Sequence, residues 1–233
     1  RQMCIRDRFK KRTTEMIIAI DGPAGAGKST VARLLAQRLG FLYIDTGAMY
    51  RALTLKAIET NLNINDEKVI IEMACDTSID LTNNSDGTIE VFLDGRNVSK
   101  EIREPKITKL VSDIAKIKGV RERMLEIQRR SGRQGDSVLE GRDIATVVFP
   151  DAEKKFYIDA DFKERTKRRY LELRESEKQI TTAMVAEDLR NRDFIDSSRE
   201  FAPLKKAEDA VYIDTTDMSI EEVVEVLLKH IKN

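Results

Sequence analysis

The sequence predicts an α/β fold of three layers, in which a parallel central sheet is flanked by helices and carries a small antiparallel β insert. Short apolar runs alternate with helical segments along most of the chain, and this order is typical of βαβ units. A glycine-rich loop joins the first apolar run to the first helix. Between residues 77 and 102, alternating residues broken by N-N-S-D-G and D-G indicate hairpins instead.

The glycine-rich loop is a phosphate-binding motif. Residues 16–30, M-I-I-A-I-D-G-P-A-G-A-G-K-S-T, predict a buried strand, a turn and the start of a helix. Gly22, Gly27, Lys28 and Ser29 match G-x-x-x-x-G-K-[ST] in the strand–loop–helix context that this pattern requires. Lys28 can reach the β- and γ-phosphates of a nucleotide, and the Ser29 hydroxyl can bind Mg²⁺. The alternative is an ordinary turn between a strand and a helix.

The remaining elements follow in order along the chain. Strands are predicted at residues 41–44, 137–139, 155–158 and 211–214, with residues 144–149 also extended. The first two predicted helices end near residues 39 and 61. Further helices are predicted at residues 66–74, 104–130 (in two segments meeting near Gly119), 162–177 and 182–192. The last helix is predicted to begin at the capping box Ser219-x-x-Glu222. The insert is expected to pair residues 78–81, 88–93 and 96–98, although a meandering surface hairpin fits the same pattern.

Composition and charge exclude several classes of protein. Lys plus Arg and Asp plus Glu both number 41, so the net charge is zero, whereas bulk nucleic-acid binders carry a basic excess. Cys4 and Cys75 lie far apart and indicate no disulfide framework or zinc site. The single histidine, His230, lies at a Lys-rich helix end, so acid–base chemistry would use carboxylates. No apolar run reaches the roughly 18 residues of a membrane span, and we expect a cytoplasmic protein that binds neither nucleic acid nor membrane.

We expect a single domain over residues 16–233, preceded by a leader. Residues 1–15 lack the apolar stretch of a signal peptide and are expected to be a basic disordered arm, a transit-like leader or, as we favour, non-native sequence joined upstream of Met16. The domain is expected to consist of a core (16–76 and 132–233), an insert (about 77–131) and a short lid (about 160–178).

Three polar sequences are predicted to meet at one edge of the sheet. D-T-G at residues 45–47, E-G-R-D at 140–143 and D-T-T at 214–216 each follow a predicted strand, and ligands of open α/β sheets bind at the carboxyl ends of the strands. Five arginines are predicted at strand ends or at edges of loops and helices: Arg51, Arg121, Arg142, Arg192 and Arg199. They suit phosphoryl transfer, which needs positioning and stabilisation of negative charge. Each alone fits a solvated helix face or a surface ion pair equally well.

Four parts of the sequence resemble the bacterial cytidylate (CMP) kinases, a family of P-loop nucleoside monophosphate kinases. They are D-T-G-A-M-Y-R at residues 45–51, E-G-R-D-I-A-T-V-V-F-P-D at 140–151, the β insert, and S-R-E-F-A-P-L at 198–204. The resemblance covers essentially residues 16–233. It implies a P-loop NTPase fold and the reaction of Mg-ATP with CMP or dCMP to give ADP and CDP or dCDP. We expect direct in-line transfer without a covalent intermediate.

The resemblance also implies which residues bind the donor. The phosphate loop would hold the ATP phosphates through Gly22, Pro23, Ala24, Gly25, Ala26, Gly27, Lys28, Ser29 and Thr30. Arg165 and Arg168, on the basic helix of the expected lid, would contact ATP. Ser29 would bind Mg²⁺ directly, and Glu140 would bind it through water.

The resemblance assigns the cytosine base to three residues. Thr46 and Arg51 are expected on the CMP side, with Arg51 on its phosphate. Ser112, Arg121 and Asp143 would contact the cytosine edge, whose N4 amino group donates hydrogen bonds and whose N3 and O2 accept them. Uracil reverses this sense at positions 3 and 4, so UMP would leave a mismatched buried pair.

The ribose and the phosphates are assigned to residues near the end of the penultimate helix. Asp196 would bind the ribose of CMP, and Arg192 and Arg199 would bind phosphates. Lys28, Arg142, Arg192 and Arg199 are the expected catalytic groups.

Two residues depart from the family pattern. Glu140 stands where the family usually has Asp, and Ala145 stands where it usually has Gly. If residue 145 needs a positive φ, alanine would cost on the order of 1 kcal/mol. We expect a locally adjusted loop and retained activity.

Three other functions fit parts of the pattern. A UMP/AMP kinase or a shikimate kinase would share the scaffold, and the acceptor profile would distinguish it. A regulatory GTPase would need an N-K-x-D motif, and the chain has no Asn-Lys pair. A non-catalytic nucleotide-binding module would not need the acceptor-side arginines. We expect the protein to be a monomer.

Overall fold

The computed structural model describes residues 15–175 and 179–232. Most of the expected leader, residues 1–14, and the end of the expected lid, residues 176–178, lie outside the described residues. The described strands are β1 (Ile17–Asp21), β2 (Leu42–Asp45), β3 (Ile79–Asn83), β4 (Ile89–Leu93), β5 (Arg96–Asn97), β6 (Ser137–Gly141), β7 (Lys154–Asp159) and β8 (Val211–Asp214). The described helices are α1 (Lys28–Leu39), α2 (Thr46–Glu59), α3 (Glu67–Cys75), α4 (Pro105–Ala115), α5 (Lys118–Gly132), α6 (Phe162–Leu173), α7 (Thr182–Ser198) and α8 (Ile220–Lys232).

Five of these strands form a parallel sheet in the order β2-β6-β1-β7-β8. The central strand β1 pairs in parallel with β6 and β7, and the register aligns Asp21 with Gly141 and with Tyr157. The outer pairs, β2 with β6 and β7 with β8, are also parallel. Because the strands point the same way, the chain leaves all of them at one edge of the sheet. The predicted parallel sheet is therefore confirmed, and it brings the three predicted polar sequences to one edge.

The central sheet is buried on both faces, which explains the continuous apolar character of β1. Ala19 packs into a core shared with α2, α3, α4 and α5, whereas Ile18 and Ile20 pack into a second core with α1 and α8. This division follows from the alternation of side chains along a strand. Helices therefore cover both faces, which is the three-layer arrangement of P-loop NTPases.

The predicted β insert is a three-stranded antiparallel sheet in the order β3-β4-β5. Its residues Ile79, Val91 and Leu93 are buried in the core shared with α2 to α5. The Asn83 side chain also accepts a hydrogen bond from the backbone N–H of Tyr43 in β2 at 2.8 Å. The insert thus packs against the edge of the main sheet, and the alternative of a meandering surface hairpin is wrong.

Two segments differ from the prediction, and both lie at the edge where the polar sequences meet. Residues 144–149 are predicted to be extended, but Ile144–Val148 form a π-helical turn because a distant carboxylate binds its first N–H groups, as described below. Helix α7 continues through the predicted loop as far as Ser198. This continuation places Arg192, Asp196 and Arg199 at helical spacing on one side of α7. The break between the two predicted helices near Gly119 occurs at residues 116–117.

Candidate active site

The carboxyl ends of the strands open into a cavity of about 1240 Å³. Pockets for one drug-sized ligand usually measure roughly 300–1,000 Å³, so this cavity has room for two substrates. Its wall is formed by the phosphate loop, the residues that follow β2, β6 and β8, and parts of α4, α5, α6 and α7.

The loop between β1 and α1 forms one end of the cavity. Gly27 adopts a φ of 87° immediately before α1, a conformation that a side chain would disfavour. Gly22 approaches β7 so closely that a Cβ atom there would lie 1.9 Å from the carbonyl oxygen of Ile158. Lys28 Nζ donates a hydrogen bond to the carbonyl oxygen of Pro23 at 2.6 Å. The loop therefore curls around the ammonium group, and the N-terminus of α1 favours an anion at the same place.

Lys28 is held in an environment that disfavours its charge. Burial lowers the pKa of Lys28 to about 7, and the positive charge of Arg142 acts in the same direction. The carboxylates of Glu140, Asp196 and Asp21 oppose this shift. A phosphate placed beside Lys28 would favour its charged form.

Oxygen atoms that could bind a metal ion lie beside the N-terminus of α1. The buried carboxylate of Glu140 accepts hydrogen bonds from the Tyr43 hydroxyl at 2.8 Å and from the Ser29 side chain. Burial, followed by the negative charge of Asp45, raises the pKa of Glu140. Hydroxyl and carboxylate oxygens are ligands that Mg²⁺ accepts, usually together with phosphates and water. Residues 15–175 and 179–232 contain no cluster of three or more His, Cys, Asp or Glu side chains that could hold a metal ion by itself.

Buried charges line the opposite end of the cavity. Arg121 Nη2 lies 2.5 Å from Asp143 Oδ2, and the Arg121 guanidinium carbon lies 5.4 Å from the centre of the Tyr50 ring. Arg199 Nη2 lies 3.9 Å from the other oxygen of Asp143. Ser112 also lines the cavity and is buried. A carboxylate, a guanidinium and a hydroxyl therefore present acceptors and donors together on a buried surface.

A second carboxylate, Asp196, joins the arginines of the β6 loop and α7. Arg142 Nε lies 2.9 Å from Asp196 Oδ2, and Arg199 Nη1 lies 3.3 Å from Asp196 Oδ1. Burial alone would raise the pKa of Asp196, but Arg142 and Arg199 hold it below its usual range. Burial, followed by the charge of Arg142, lowers the pKa of the neighbouring Arg192 to about 10. The positive charges here exceed what Asp196 can balance.

Several of these arginines retain unused hydrogen-bond donors. Within the described residues, Arg121 Nε, Arg169 Nε, Arg192 Nε and Arg199 Nη2 are buried and have no hydrogen-bond partner. All four arginines line the cavity. Buried donors without partners are costly, and four such arginines around one cavity indicate a site for anionic oxygen atoms or base acceptors.

Most of the predicted site residues lie around this cavity. Those that line it are Ala24, Gly25, Ala26, Gly27, Lys28, Ser29, Thr30, Thr46, Arg51, Ser112, Arg121, Glu140, Arg142, Asp143, Arg168, Arg192, Asp196 and Arg199. Gly22, Pro23 and Arg165 are the three predicted site residues that do not line it.

Arg165 contacts the phosphate loop from outside the cavity. Its Nη1 donates to the carbonyl oxygen of Ala24 at 3.0 Å and to Asp193 Oδ2 at 2.6 Å. Asp193 Oδ1 in turn accepts the backbone N–H of Ala24 at 3.3 Å. Arg165 therefore contacts the loop, and its predicted contact with ATP stays a prediction. Arg168 does line the cavity, and its guanidinium donates to the Thr215 hydroxyl and to the carbonyl oxygens of Thr215 and Thr216.

The two departures from the family pattern are accommodated without backbone strain. Among the described non-glycine residues, only Asn61, Asp94 and Ala202 have a positive φ, so Ala145 carries none of the cost considered above. Glu140 reaches the Tyr43 hydroxyl with its longer side chain.

Of the residues at or near the cavity that were not predicted as site residues, Arg169 and Asp21 stand out by their charge and position. Arg169 lines the wall beside Arg168, and its position on a basic helix is the only sequence signal that points to it. Asp21 is buried behind the phosphate loop, and a single acidic residue at the end of an apolar strand gives no sequence signal for its contacts.

Comparisons with known proteins identify the family of the chain. The sequence model of the cytidylate kinase family matches residues 18–233. The cytidylate kinase of Clostridioides difficile (strain 630) is 48% identical over 216 residues, which cover 93% of this chain and 98% of that protein. The cytidylate kinase of Caldanaerobacter subterraneus subsp. tengcongensis is 49% identical over 215 residues, with 92% and 94% coverage.

A solved structure supports the fold independently. An uncharacterized protein from Eubacterium ventriosum ATCC 27560 matches with a TM-score of 0.51 at 14% identity and covers 94% of this chain and 99% of its own. None of the described helices is both long enough and apolar enough to cross a membrane. Because the family match spans residues 18–233 and the relatives align over nearly their full length, the chain belongs to the cytidylate kinase family of nucleoside monophosphate kinases.

Proposed function

We propose that the protein transfers the γ-phosphoryl group of ATP to CMP or dCMP, giving ADP and CDP or dCDP. Family membership supplies the class of reaction, a phosphoryl transfer between nucleotides. The observation that carries the choice of acceptor is the buried Arg121–Asp143 pair, which shares one cavity with the phosphate loop. One end of the cavity thus suits a nucleoside triphosphate, and the other suits a cytosine base.

The donor end holds the ATP phosphates. Backbone N–H groups of residues 24–30 surround the β-phosphate, and Lys28 contacts the β- and γ-phosphates. Arg168 and Arg169 of α6 form the positive wall opposite the loop. The conformation of the loop is maintained by Gly22, Pro23 and Arg165, which do not line the cavity. Two contacts support this role: Gly22 lies against β7, and Arg165 binds the backbone of Ala24.

A magnesium ion fits beside the same loop. The Ser29 hydroxyl and, through water, the Glu140 carboxylate would hold it, since both offer the hard oxygen atoms that Mg²⁺ prefers. When bound, the ion neutralises charge on the β- and γ-phosphates. Tyr43 orients Glu140 through the 2.8 Å hydrogen bond.

The acceptor end distinguishes cytosine from uracil. Asp143 accepts the N4 amino group of cytosine, and Arg121, whose Nε has no partner within the described structure, donates to the ring acceptors. The Ser112 hydroxyl completes the contacts to the base. Uracil carries a carbonyl where cytosine carries the amino group, so Asp143 would face an acceptor. We expect UMP to be disfavoured by roughly 10²-fold or more in kcat/KM, because a buried polar group would be left unpaired.

The reaction needs positioning and charge stabilisation more than proton transfer. The ionised phosphate of CMP is itself the nucleophile: one of its oxygen atoms forms a bond to the γ-phosphorus of ATP while the bond to the leaving ADP oxygen breaks. Arg51 binds the acceptor phosphate, and Arg142, Arg192 and Arg199 stabilise the charge that spreads over the transferred group. Asp196 binds the ribose and orients Arg142 and Arg199 through the ion pairs described above.

Residues 160–175, the described part of the predicted lid, act as a short lid over the donor. Closing the lid excludes water, which would otherwise accept the phosphoryl group from ATP. We place the working enzyme in the cytoplasm as a monomer with ATP and CMP or dCMP as its substrates. Light scattering of the purified chain should give the mass of one chain, and a dimer mass would contradict this assignment.

The proposal is tested by an ADP-release assay with Mg-ATP and a panel of acceptors. The panel contains CMP, dCMP, UMP, AMP, GMP and shikimate, and the Lys28→Met variant serves as the inactive control. Strong turnover with CMP and dCMP and weak turnover with UMP supports both the reaction and the base-binding residues. Preference for UMP, AMP or shikimate would keep the phosphate-loop assignment and refute the base assignment.

A further inference from the structure

Asp21 is a buried carboxylate that the proposed function leaves without a role. It is the last residue of β1, directly precedes the phosphate loop and is 1% exposed. It does not line the cavity. Its two oxygen atoms accept the backbone N–H groups of Ile144 at 2.9 Å and of Ala145 at 2.8 Å. Burial raises the pKa of Asp21 to about 7, so a charged group at this position has a real cost.

These two hydrogen bonds occupy the start of the π-helical turn, where a capping residue would act. Asp143 holds the N-cap position of this turn, and aspartate there usually accepts N–H groups of its own turn. The Asp143 side chain makes no such bond. It pairs instead with Arg121 at 2.5 Å in the cavity. Asp21 therefore supplies from β1 the cap that Asp143 does not provide.

Asp21 also fixes the other side of the same short segment. Its backbone pairs with Gly141 at the end of β6, while its side chain holds Ile144 and Ala145. Only Arg142 and Asp143 lie between these points of attachment. Gly141 itself has little freedom, since a Cβ atom there would lie 2.7 Å from Ile144 Cδ1 and 2.8 Å from Thr46 Oγ1.

We infer that Asp21 is a positioning residue that caps the Ile144–Val148 turn from outside and so keeps Asp143 free to bind the base and Arg142 aimed at the phosphates. This inference rests on the proposed function for the identity of the ligands. Without the cap from Asp21, the Asp143 carboxylate is the nearest replacement for it, and the Arg121–Asp143 pair breaks. Loss of Asp21 therefore affects the acceptor more than the donor.

The test compares Asp21→Asn with a matched control, Asp136→Asn. Asp136 accepts the backbone N–H of Met16 at 2.6 Å, which lies at the opposite end of the β1–β6 pair and away from the cavity. For Asp21→Asn we expect KM for CMP to rise about tenfold, equivalent to about 1.4 kcal/mol, and the preference for CMP over UMP to fall about tenfold. KM for ATP should stay within about twofold. Asp136→Asn should leave both KM values and the preference within about twofold of wild type.

The outcome that overturns the inference is a variant in which KM for CMP and for ATP rise in proportion, or in which the CMP-to-UMP preference is unchanged. Hydrogen exchange of the wild-type protein provides a second readout that needs no activity. The Ile144 and Ala145 amides should exchange slowly in the wild-type protein. In folded Asp21→Asn their exchange rates should be at least tenfold higher. Fast exchange of both amides in wild type refutes the cap even if Asp21→Asn does not fold. Wild type that fails to phosphorylate CMP but protects both amides would refute the proposed function and leave the cap established.

Discussion

Lys28 is the residue at which charge and ligand binding are most closely linked. Its pKa of about 7 in the folded protein lies below the usual 10.5. Between these two values the unfolded chain holds a proton that the folded protein has released. By linkage, this group therefore makes the folded state more stable as the pH rises from about 7 towards 10.5, and that gain is lost as the pH falls back to 7.

Phosphates beside Lys28 should reverse this shift. Because burial lowers the pKa of Lys28 to about 7, part of the protein has an unprotonated Lys28 at pH 7, so binding of Mg-ATP should take up a fraction of a proton. Calorimetric titrations in two buffers of different ionisation enthalpy would measure the uptake. Lys28→Arg, which stays charged, should show none from this position. Equal uptake by both proteins would show that another group titrates.

Arg199 combines contacts to both carboxylates of the acceptor end. Its side chain is 4% exposed, and it reaches Asp143 and Asp196. We expect Arg199→Ala to lower kcat by about 10³-fold, because one arginine at the transferred group contributes about 10³–10⁵ in related reactions. Steady-state kinetics at saturating substrates would measure this.

A control variant shows whether the loss of kcat is specific to Arg199 or follows from the removal of any arginine. Arg96→Ala removes an exposed residue of the insert that pairs with Glu59 at 2.7 Å, and kcat should stay within about twofold of wild type. An unchanged kcat for Arg199→Ala would falsify its role in stabilising the transferred group.

At the scale of single residues, the sequence identifies types of chemistry better than it identifies contacts. The phosphate-loop motif locates Lys28 and Ser29 because the spacing of the motif is itself the geometry. Arg165 and Arg168 look equivalent on one helix, yet Arg165 packs behind the loop and Arg168 faces the cavity. Asp21 could not be recognised, because its partners lie more than 120 residues away in sequence.

At the scale of elements, the helices α6 and α7 hold the phosphate loop in a clamp. Arg165 of α6 and Asp193 of α7 pair at 2.6 Å, and each also binds the backbone of Ala24. We expect Asp193→Asn to raise KM for ATP about fivefold to tenfold, since it weakens a charge-assisted hydrogen bond and leaves Arg165 underpaired. KM for CMP should change by less than twofold. Initial-rate kinetics with each substrate varied in turn would test both statements.

An exposed ion pair between two other helices is the control for this clamp. Arg38 of α1 and Glu225 of α8 pair at 2.6 Å, and their side chains are 48% and 54% exposed. Exposed pairs contribute about 0–1 kcal/mol, so Arg38→Ala should leave both KM values unchanged. A rise in KM for ATP of the same size in Arg38→Ala would mean that the clamp has no special effect on the loop.

Most elements could be predicted because their patterns are local, and the exceptions have distant partners. The strands β1 and β8 and the capping box of α8 depend on residues within a few positions of each other. Asp21 binds the π-helical turn from β1, and Arg142 pairs with Asp196 near the end of α7 from 54 residues earlier in the chain. A pattern of neighbouring residues contains neither interaction, so the sequence predicts extended chain and a loop there.

At the scale of the whole molecule, the parallel sheet divides the core into two parts, and the site lies across its edge. The alternation of strands and helices predicts a parallel sheet, but it does not give the order β2-β6-β1-β7-β8. That order puts β1 in the centre, with β6 on one side and β7 on the other. The phosphate loop is thus held between β6, which ends at Gly141 just before Arg142, and β7, which leads to α6.

Because the site depends on this sheet, stability should depend on the sheet's interior and hardly at all on the surface of α7. Phe156 in β7 is 0% exposed and packs in the core with α1 and α8, whereas Phe194 in α7 is 70% exposed. We expect Phe156→Ala to lower the free energy of unfolding by about 3–5 kcal/mol, through lost burial and the cavity that remains. The same change at Phe194 should cost less than about 0.5 kcal/mol.

Urea denaturation followed by circular dichroism would compare the two variants. The midpoint should fall strongly for Phe156→Ala alone, while the dependence on urea stays constant, because both variants expose nearly the same surface on unfolding. Below the transition, Phe156→Ala should keep the KM of wild type for both substrates, since the side chain lies in the core and does not line the cavity. Equal costs for the two variants would mean that the core between the sheet, α1 and α8 is not what holds the strands in place.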